Sequence, residues 1–146
     1  MIVYVDTSAL VKRYIHEPAS EEVFTLVDQA EAVGTAIITQ VEIASALEKA
    51  VRLKWVEQET AWQSWQDFLS HWHSFTRFGI STGIIERASR LAWEHGLRGY
   101  DAVHLASVMV WQETLDMSII FATFDHNLWK AGEKERLKVW PENLPL

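Results

Sequence analysis

The chain contains no cysteine. Disulfide staples and thiolate metal sites are therefore excluded, and the composition fits a reducing compartment. Proline is scarce: the three residues fall at 18, 141 and 145, so no proline-rich linker divides the 146 residues. That length suits a single domain, 1–146. Basic charge is also short, with 13 Lys and Arg against 20 Asp and Glu and a net charge of −7. A protein that coats duplex nucleic acid needs a basic face, which this balance argues against. A nuclease whose acids are gathered at a metal remains compatible with it. No apolar run is long enough to span a bilayer; the stretches 118–124 and 102–111 are too short or too interrupted. The chain opens on a strand-like run, without the basic segment and cleavage site of a signal peptide, so a cytoplasmic protein is expected. Internal repeats and low-complexity tracts are absent too.

What is present is a globular composition, 49% hydrophobic and 23% charged. Strand-like runs at 2–5, 35–38, 77–80, 119–122 and 137–140 alternate with helical patterns. A short helix begins near Ala9-Leu10, and a second opens at Ser20 as its N-cap. Ile43, Ala44, Leu47 and Val51 mark one face of a third. The stretches 55–75, 82–95, 100–115 and 125–131 complete the set, with Gly132 as a C-cap. Such alternation predicts a three-layer α/β/α fold: a mainly parallel central sheet, right-handed crossovers and helices on both faces.

Four carboxylates stand where this pattern turns from strand to helix. Asp6 closes Ile2-Val3-Tyr4-Val5, Glu42 follows Ala36-Ile37-Ile38-Thr39-Gln40-Val41, Asp101 follows Leu97-Arg98-Gly99-Tyr100, and Asp125 comes after Ile119-Ile120-Phe121-Ala122. In open α/β sheets, ligands bind beyond the carboxyl ends of the strands, so these positions can converge. Two carboxylates ~4 Å apart repel by ~4 kcal/mol at the effective dielectric of a protein surface. A fold that gathers four needs a cation or perturbed proton affinities, and hard oxygen ligands suit Mg²⁺ or Mn²⁺.

Each acid also has a plainer reading. Asp6 before Thr7-Ser8 is good N-cap chemistry, with Thr7 a local cap and Ser8 placed to hydrogen-bond a carboxylate or phosphate. Glu42 and Asp125 are first-turn acids favoured by the helix dipole. Glu42 nevertheless sits among Val41, Ile43 and Ala44, where a carboxylate needs a partner. Thr123 can cap the helix that Asp125 begins, and Asn127 is a weaker polar candidate. His104, one turn after Asp101, reads as a satisfied core or supporting residue rather than a ligand. His71 and His73 point to different sides of a helix and chelate poorly. Four acids at successive strand ends are a less probable accident than any one of them.

The eight tryptophans are many for this length. Trp55, Trp62, Trp65, Leu69 and Trp72 fall on one side of a helical pattern. They read either as an amphipathic face on the core or as a protein–protein surface anchored by Trp62, Trp65 and Trp72. A base-stacking platform is less favoured, because few basic residues lie between them.

Taken together, Val5-Asp6-Thr7-Ser8-Ala9-Leu10-Val11-Lys12, Val41-Glu42-Ile43-Ala44-Ser45-Ala46-Leu47, Tyr100-Asp101-Ala102-Val103-His104-Leu105-Ala106 and Thr123-Phe124-Asp125-His126-Asn127-Leu128 resemble the PIN-domain ribonucleases. Within them, the chain resembles the VapC toxins of toxin–antitoxin pairs. The resemblance spans 2 to about 132 and implies a PIN-like fold. It places the family's acidic quartet on Asp6, Glu42, Asp101 and Asp125, with Ser8 and Thr123 as supporting hydroxyls. The tryptophan content lies outside the family pattern. The resemblance further implies an RNA substrate, a cognate antitoxin and a homodimer.

No Ser-His-Asp or cysteine nucleophile set is visible, so the acids must act through metal. One or two Mg²⁺ ions, or Mn²⁺, would polarise a phosphate oxygen and activate water. Asp6 and Asp101 are the leading ligands, Asp125 completes the site, and Glu42 orients or deprotonates the water. Two alternatives stay open. One is a metal-binding PIN-like interaction module without turnover. The other is an aspartyl-phosphate phosphotransfer protein, disfavoured because Ser8 stands where a phosphatase would carry its second Asp.

Overall fold

The structure, a computed structural model, describes residues 1–144. Strands β1 (Ile2–Val5), β2 (Ala32–Ala36), β3 (Thr76–Phe78), β4 (Ile120–Ala122) and β5 (Lys138–Trp140) form one sheet in the order β3-β2-β1-β4-β5. Every pairing is parallel, with Val3 opposite both Val33 and Ile120. The helices are α1 (Thr7–Leu10), α2 (Ser20–Gln29), α3 (Thr39–Arg52), α4 (Gln58–Trp72), α5 (Thr82–His95), α6 (Gly99–Leu115) and α7 (His126–Lys134). A 3₁₀ turn, Val11–Arg13, extends α1.

Side chains alternate across a strand, and β1 uses both faces. Val3 and Val5 join a core with Leu10, Val23, Ile43, Leu47, Phe68 and Trp72, contributed by α1 to α4. Tyr4 points the other way, into a second core built by α5 to α7 around Leu91, Leu105, Trp111, Phe121 and Leu128. The sheet is thus buried on both faces, which is the α/β/α layering expected from the sequence. Trp111 reaches β2 at Gly34, where any Cβ would collide with the indole.

Several boundaries differ from the sequence reading. The second strand lies at Ala32–Ala36 rather than 35–38. Pairing of Ile2 with Ala32 fixes its start. A hydrogen bond between Thr35 Oγ1 and Thr39 Oγ1 (2.7 Å) straddles the turn into α3, leaving Ile37 41% exposed. Ser20 is the first residue of α2 and not its cap; Ala19, at φ 71°, holds that position while the Ser20 hydroxyl accepts from Glu17 N. Gly132 lies inside α7 rather than capping it. A Cβ there would press on Val139 and Phe121, so glycine lets α7 approach the sheet closely.

The tryptophan stripe divides. Trp72 is core, 5% exposed, and Trp65 is partly buried and stacked on the fully buried Phe68. Trp62 is 60% exposed, and Trp55 lies in the turn before α4, 67% exposed. The expectation of a surface anchored by Trp72 is therefore corrected: the helix turns that side chain onto the sheet.

Candidate active site

Reading the strand order outward, the chain runs β1, β2, β3 to one side and then β4, β5 to the other. The strand order reverses between β1 and β4, and the carboxyl ends at such a switch are the usual ligand position in these sheets. Asp6 leaves β1 there with its backbone N–H bonded to Ala122 O (3.1 Å), side by side with Thr123 at the end of β4.

Asp6 is 2% exposed and heavily tethered. It caps α1 by accepting from Ala9 N at 2.9 Å, and it accepts from Ser8 Oγ at 2.7 Å and Thr123 Oγ1 at 2.7 Å. Burial pushes its carboxyl above the ordinary range, against the opposing pull of His104 and the two hydroxyl hydrogen bonds. Ser8 also accepts from Phe124 N (2.8 Å), locking the β1 and β4 termini together.

Asp125 is the N-cap of α7, accepting from Leu128 N at 2.9 Å. Thr123 therefore does not cap that helix; its hydroxyl donates to Asp6 and accepts from Asp125 N (3.2 Å). Asp101, in the first turn of α6, is 6% exposed. Burial raises its carboxyl, the Arg98 hydrogen bond opposes that, and repulsion from Asp125 adds to it. Arg98 spans the two acids, donating from Nε to Asp101 Oδ2 (3.0 Å) and from Nη2 to Asp125 Oδ2 (2.9 Å).

Glu42 is held from the opposite side. Thr7 Oγ1 donates to its Oε1 at 2.7 Å, so Thr7 serves Glu42 rather than capping α1. His104 Nε2 lies 2.9 Å from the same oxygen, and Tyr4 Oη lies 2.9 Å from His104 Nδ1. An ionised carboxylate only accepts, so Nε2 carries a proton and donates to it. Burial would push Glu42 upward, but the hydrogen bond and charge of His104, with Thr7, outweigh it and hold the carboxyl below its ordinary range. Burial keeps the Tyr4 phenol well above its usual value, so it retains its proton. His104, 1% exposed, is a buried supporting residue, as its sequence context suggested.

The structure thus links Asp6 to Asp125 through Thr123 and Asp125 to Asp101 through Arg98, and holds Glu42 through Thr7 and His104. The four acids do not close into a tight cage. Among the described residues, the one trio of potential ligands with atoms within 4.8 Å of one another is Glu94, His95 and Glu135, at the C-terminal ends of α5 and α7. A guanidinium and two hydroxyls stand among the quartet instead. The donors still fit a divalent cation: they are hard oxygens, two are raised by burial, and a cationic group already bridges two of them. Sequence reasoning gave no role to Tyr4 or Arg98. Their signals were slight: an aromatic in an otherwise aliphatic strand, and a basic residue three before Asp101.

Comparison with known proteins accords with this arrangement. The model of the PIN domain family matches residues 3–134. The chain is similar to Ribonuclease VapC45 of Mycobacterium tuberculosis, 31% identical over 146 residues, covering 98% of this chain and 97% of the relative. A crystal structure from Pyrobaculum aerophilum superposes with a TM-score of 0.61 at 25% identity, covering 89% of this chain and 79% of that one. A toxin–antitoxin complex from Klebsiella pneumoniae shares the fold, with a TM-score of 0.57 at 20% identity, covering 84% and 86% of the two chains. A family match over nearly the whole chain and a full-length relative at this identity settle the classification: this chain belongs to the PIN domain family.

Proposed function

We propose that this chain is a VapC-type toxin, a metal-dependent ribonuclease that hydrolyses phosphodiester bonds of RNA in the cytoplasm. A cognate antitoxin restrains it, and it assembles as a homodimer. The names of its relatives support the ribonuclease and antitoxin parts of this reading. One observation supports the chemistry: Thr123 joins Asp6 to the Asp125 backbone and Arg98 joins Asp125 to Asp101, while Glu42 is separately held as a carboxylate.

Asp6, Asp101 and Asp125 would hold the cation, Mg²⁺ with Mn²⁺ as its substitute. When bound, the cation polarises the phosphate and lowers the pKa of water. Ser8 and Thr123 orient the Asp6 oxygens by donating to them. Glu42 takes the proton of the attacking water as the water oxygen bonds to phosphorus, the bond from phosphorus to the leaving oxygen breaks, and that oxygen takes a proton from solvent. Thr7 and His104 fix the carboxylate for that transfer and keep it ionised.

Incubation of the purified protein with total RNA tests this reading, with Mg²⁺ or EDTA and with Glu42→Gln in parallel. Cleavage that requires Mg²⁺ and is lost in the variant is expected. Intact RNA under all conditions would leave a binding module; cleavage that survives EDTA would remove the metal.

A further inference from the structure

Arg98 is a cation placed on the acids assigned to metal. Its Nε and Nη2 reach Asp101 Oδ2 at 3.0 Å and Asp125 Oδ2 at 2.9 Å, so one guanidinium joins the first turn of α6 to the cap of α7. The two acids it joins are unequal, their side chains 8% and 22% exposed, whereas that of Arg98 is 62% exposed. Asp125 is anchored by Leu128 N, whereas most of the Arg98 side chain stands in solvent. Arg98 is itself the residue before α6, in extended conformation at φ −63° and ψ 151°, and its side chain caps no backbone N–H. Helix geometry does not require an arginine there. While bridging the two acids, its Cζ also lies 5.0 Å from the centroid of the Tyr100 ring, which is 44% exposed.

We propose that Arg98 is a resident counter-ion that a divalent cation must displace, so that loading the site is an exchange of one cation for another. This rests on the metal-binding reading of Asp6, Asp101 and Asp125. With the guanidinium in place, Asp101 and Asp125 are kept together without metal and their mutual repulsion is offset. When the divalent ion takes the same oxygens, both ion pairs break and the guanidinium, already 62% exposed, turns out into solvent. Arg98 is a positioning residue in this scheme: it sets the affinity for metal rather than supplying chemistry.

The exchange has a signature that a structural role would not produce, because removing the arginine should improve metal binding. Mn²⁺ binding to the full chain by calorimetry, without RNA, is the direct measurement. Exposed ion pairs contribute little each, so Arg98→Gln should bind Mn²⁺ roughly three- to tenfold more tightly than wild type. Arg98→Lys, which retains one charge but not the two-pronged geometry, should fall between them. In the wild type, the Arg98 side-chain Nε–H resonance should lose its hydrogen-bonded position on titration with Mg²⁺. Unchanged or weaker Mn²⁺ affinity in Arg98→Gln, at a site that Asp101→Asn abolishes, overturns the exchange and leaves the metal site standing. No Mn²⁺ binding in wild type or Arg98→Gln overturns both.

Discussion

His104→Leu probes the link between the buried core and Glu42. Leucine approximates the volume of the imidazole but offers no hydrogen bond. The substitution deletes the contact to Glu42 Oε1 and removes the histidine partner of the Tyr4 hydroxyl, both contacts being 2.9 Å. A hydrogen bond to a charged group contributes ~1.5–3 kcal/mol, and a buried polar group left unpaired costs ~1–3 kcal/mol. Tyr4 is 0% exposed, but Ser107 and the Ala36 backbone also lie beside its hydroxyl and relieve part of the penalty, and Glu42, with its side chain 21% exposed, regains some water. The expected loss is about 3–4 kcal/mol, or roughly 6–15 °C in melting temperature for a chain of this size. Adding Tyr4→Phe removes the hydroxyl that has lost its histidine partner, so the double variant should be more stable than the sum of the single effects predicts, by about 1–2 kcal/mol. The pH dependence has a definite sign. Glu42 is held below its ordinary range, so its contribution is present above the ordinary glutamate value and lost as pH falls through the folded value. His104→Leu should flatten that part of the acid limb in urea-unfolding curves and slow RNA cleavage by roughly 10- to 100-fold through misplacement of Glu42. Additive single effects, or wild-type stability in His104→Leu, would refute the relay from Tyr4 to Glu42.

Three further outcomes are expected. Asp101→Asn should abolish Mg²⁺-dependent cleavage yet remain folded. Burial raises this carboxyl, so its stability cost appears as pH rises through the folded value, and the variant should melt no lower than wild type at pH 7 without metal; a drop of several degrees in circular dichroism melts would show that its Arg98 pair outweighs burial. Trp72→Ala should cost ~3–5 kcal/mol in urea titrations, as a core truncation, whereas Trp62→Ala should stay within ~0.5 kcal/mol; equal losses would mean that the two do not occupy core and surface. Gly34→Ala forces a methyl against Trp111 and should cost ~1–3 kcal/mol, read by thermal melting and by a change in tryptophan fluorescence.

Much of this molecule was legible along the chain because the relevant physics is local. Strand-like runs alternating with helical periodicity specify parallel crossovers, and the layering follows from the need to bury both faces of such a sheet. The positions of Asp6, Asp101 and Asp125 were legible too, since a strand end or helix start is visible in the residues that flank it. The Ala32–Ala36 strand was displaced in the reading because Gly34 and its alanines carry little strand preference; pairing with β1 and the Trp111 indole fix it. Helical spacing put the tryptophans of α4 on one stripe, but only packing against the sheet could separate buried Trp72 from exposed Trp62. The partners of the acids were hidden for the same reason. Thr7 reaches Glu42 across 35 residues, Tyr4 reaches His104 across 100, and Thr123 reaches Asp6 across 117. Sequence sets which groups carry charge and where each element ends. Which carboxylate is ionised, which is raised, and which is bridged by Arg98 depends on burial and on distances of about 3 Å between distant segments, and those exist only once the chain is folded.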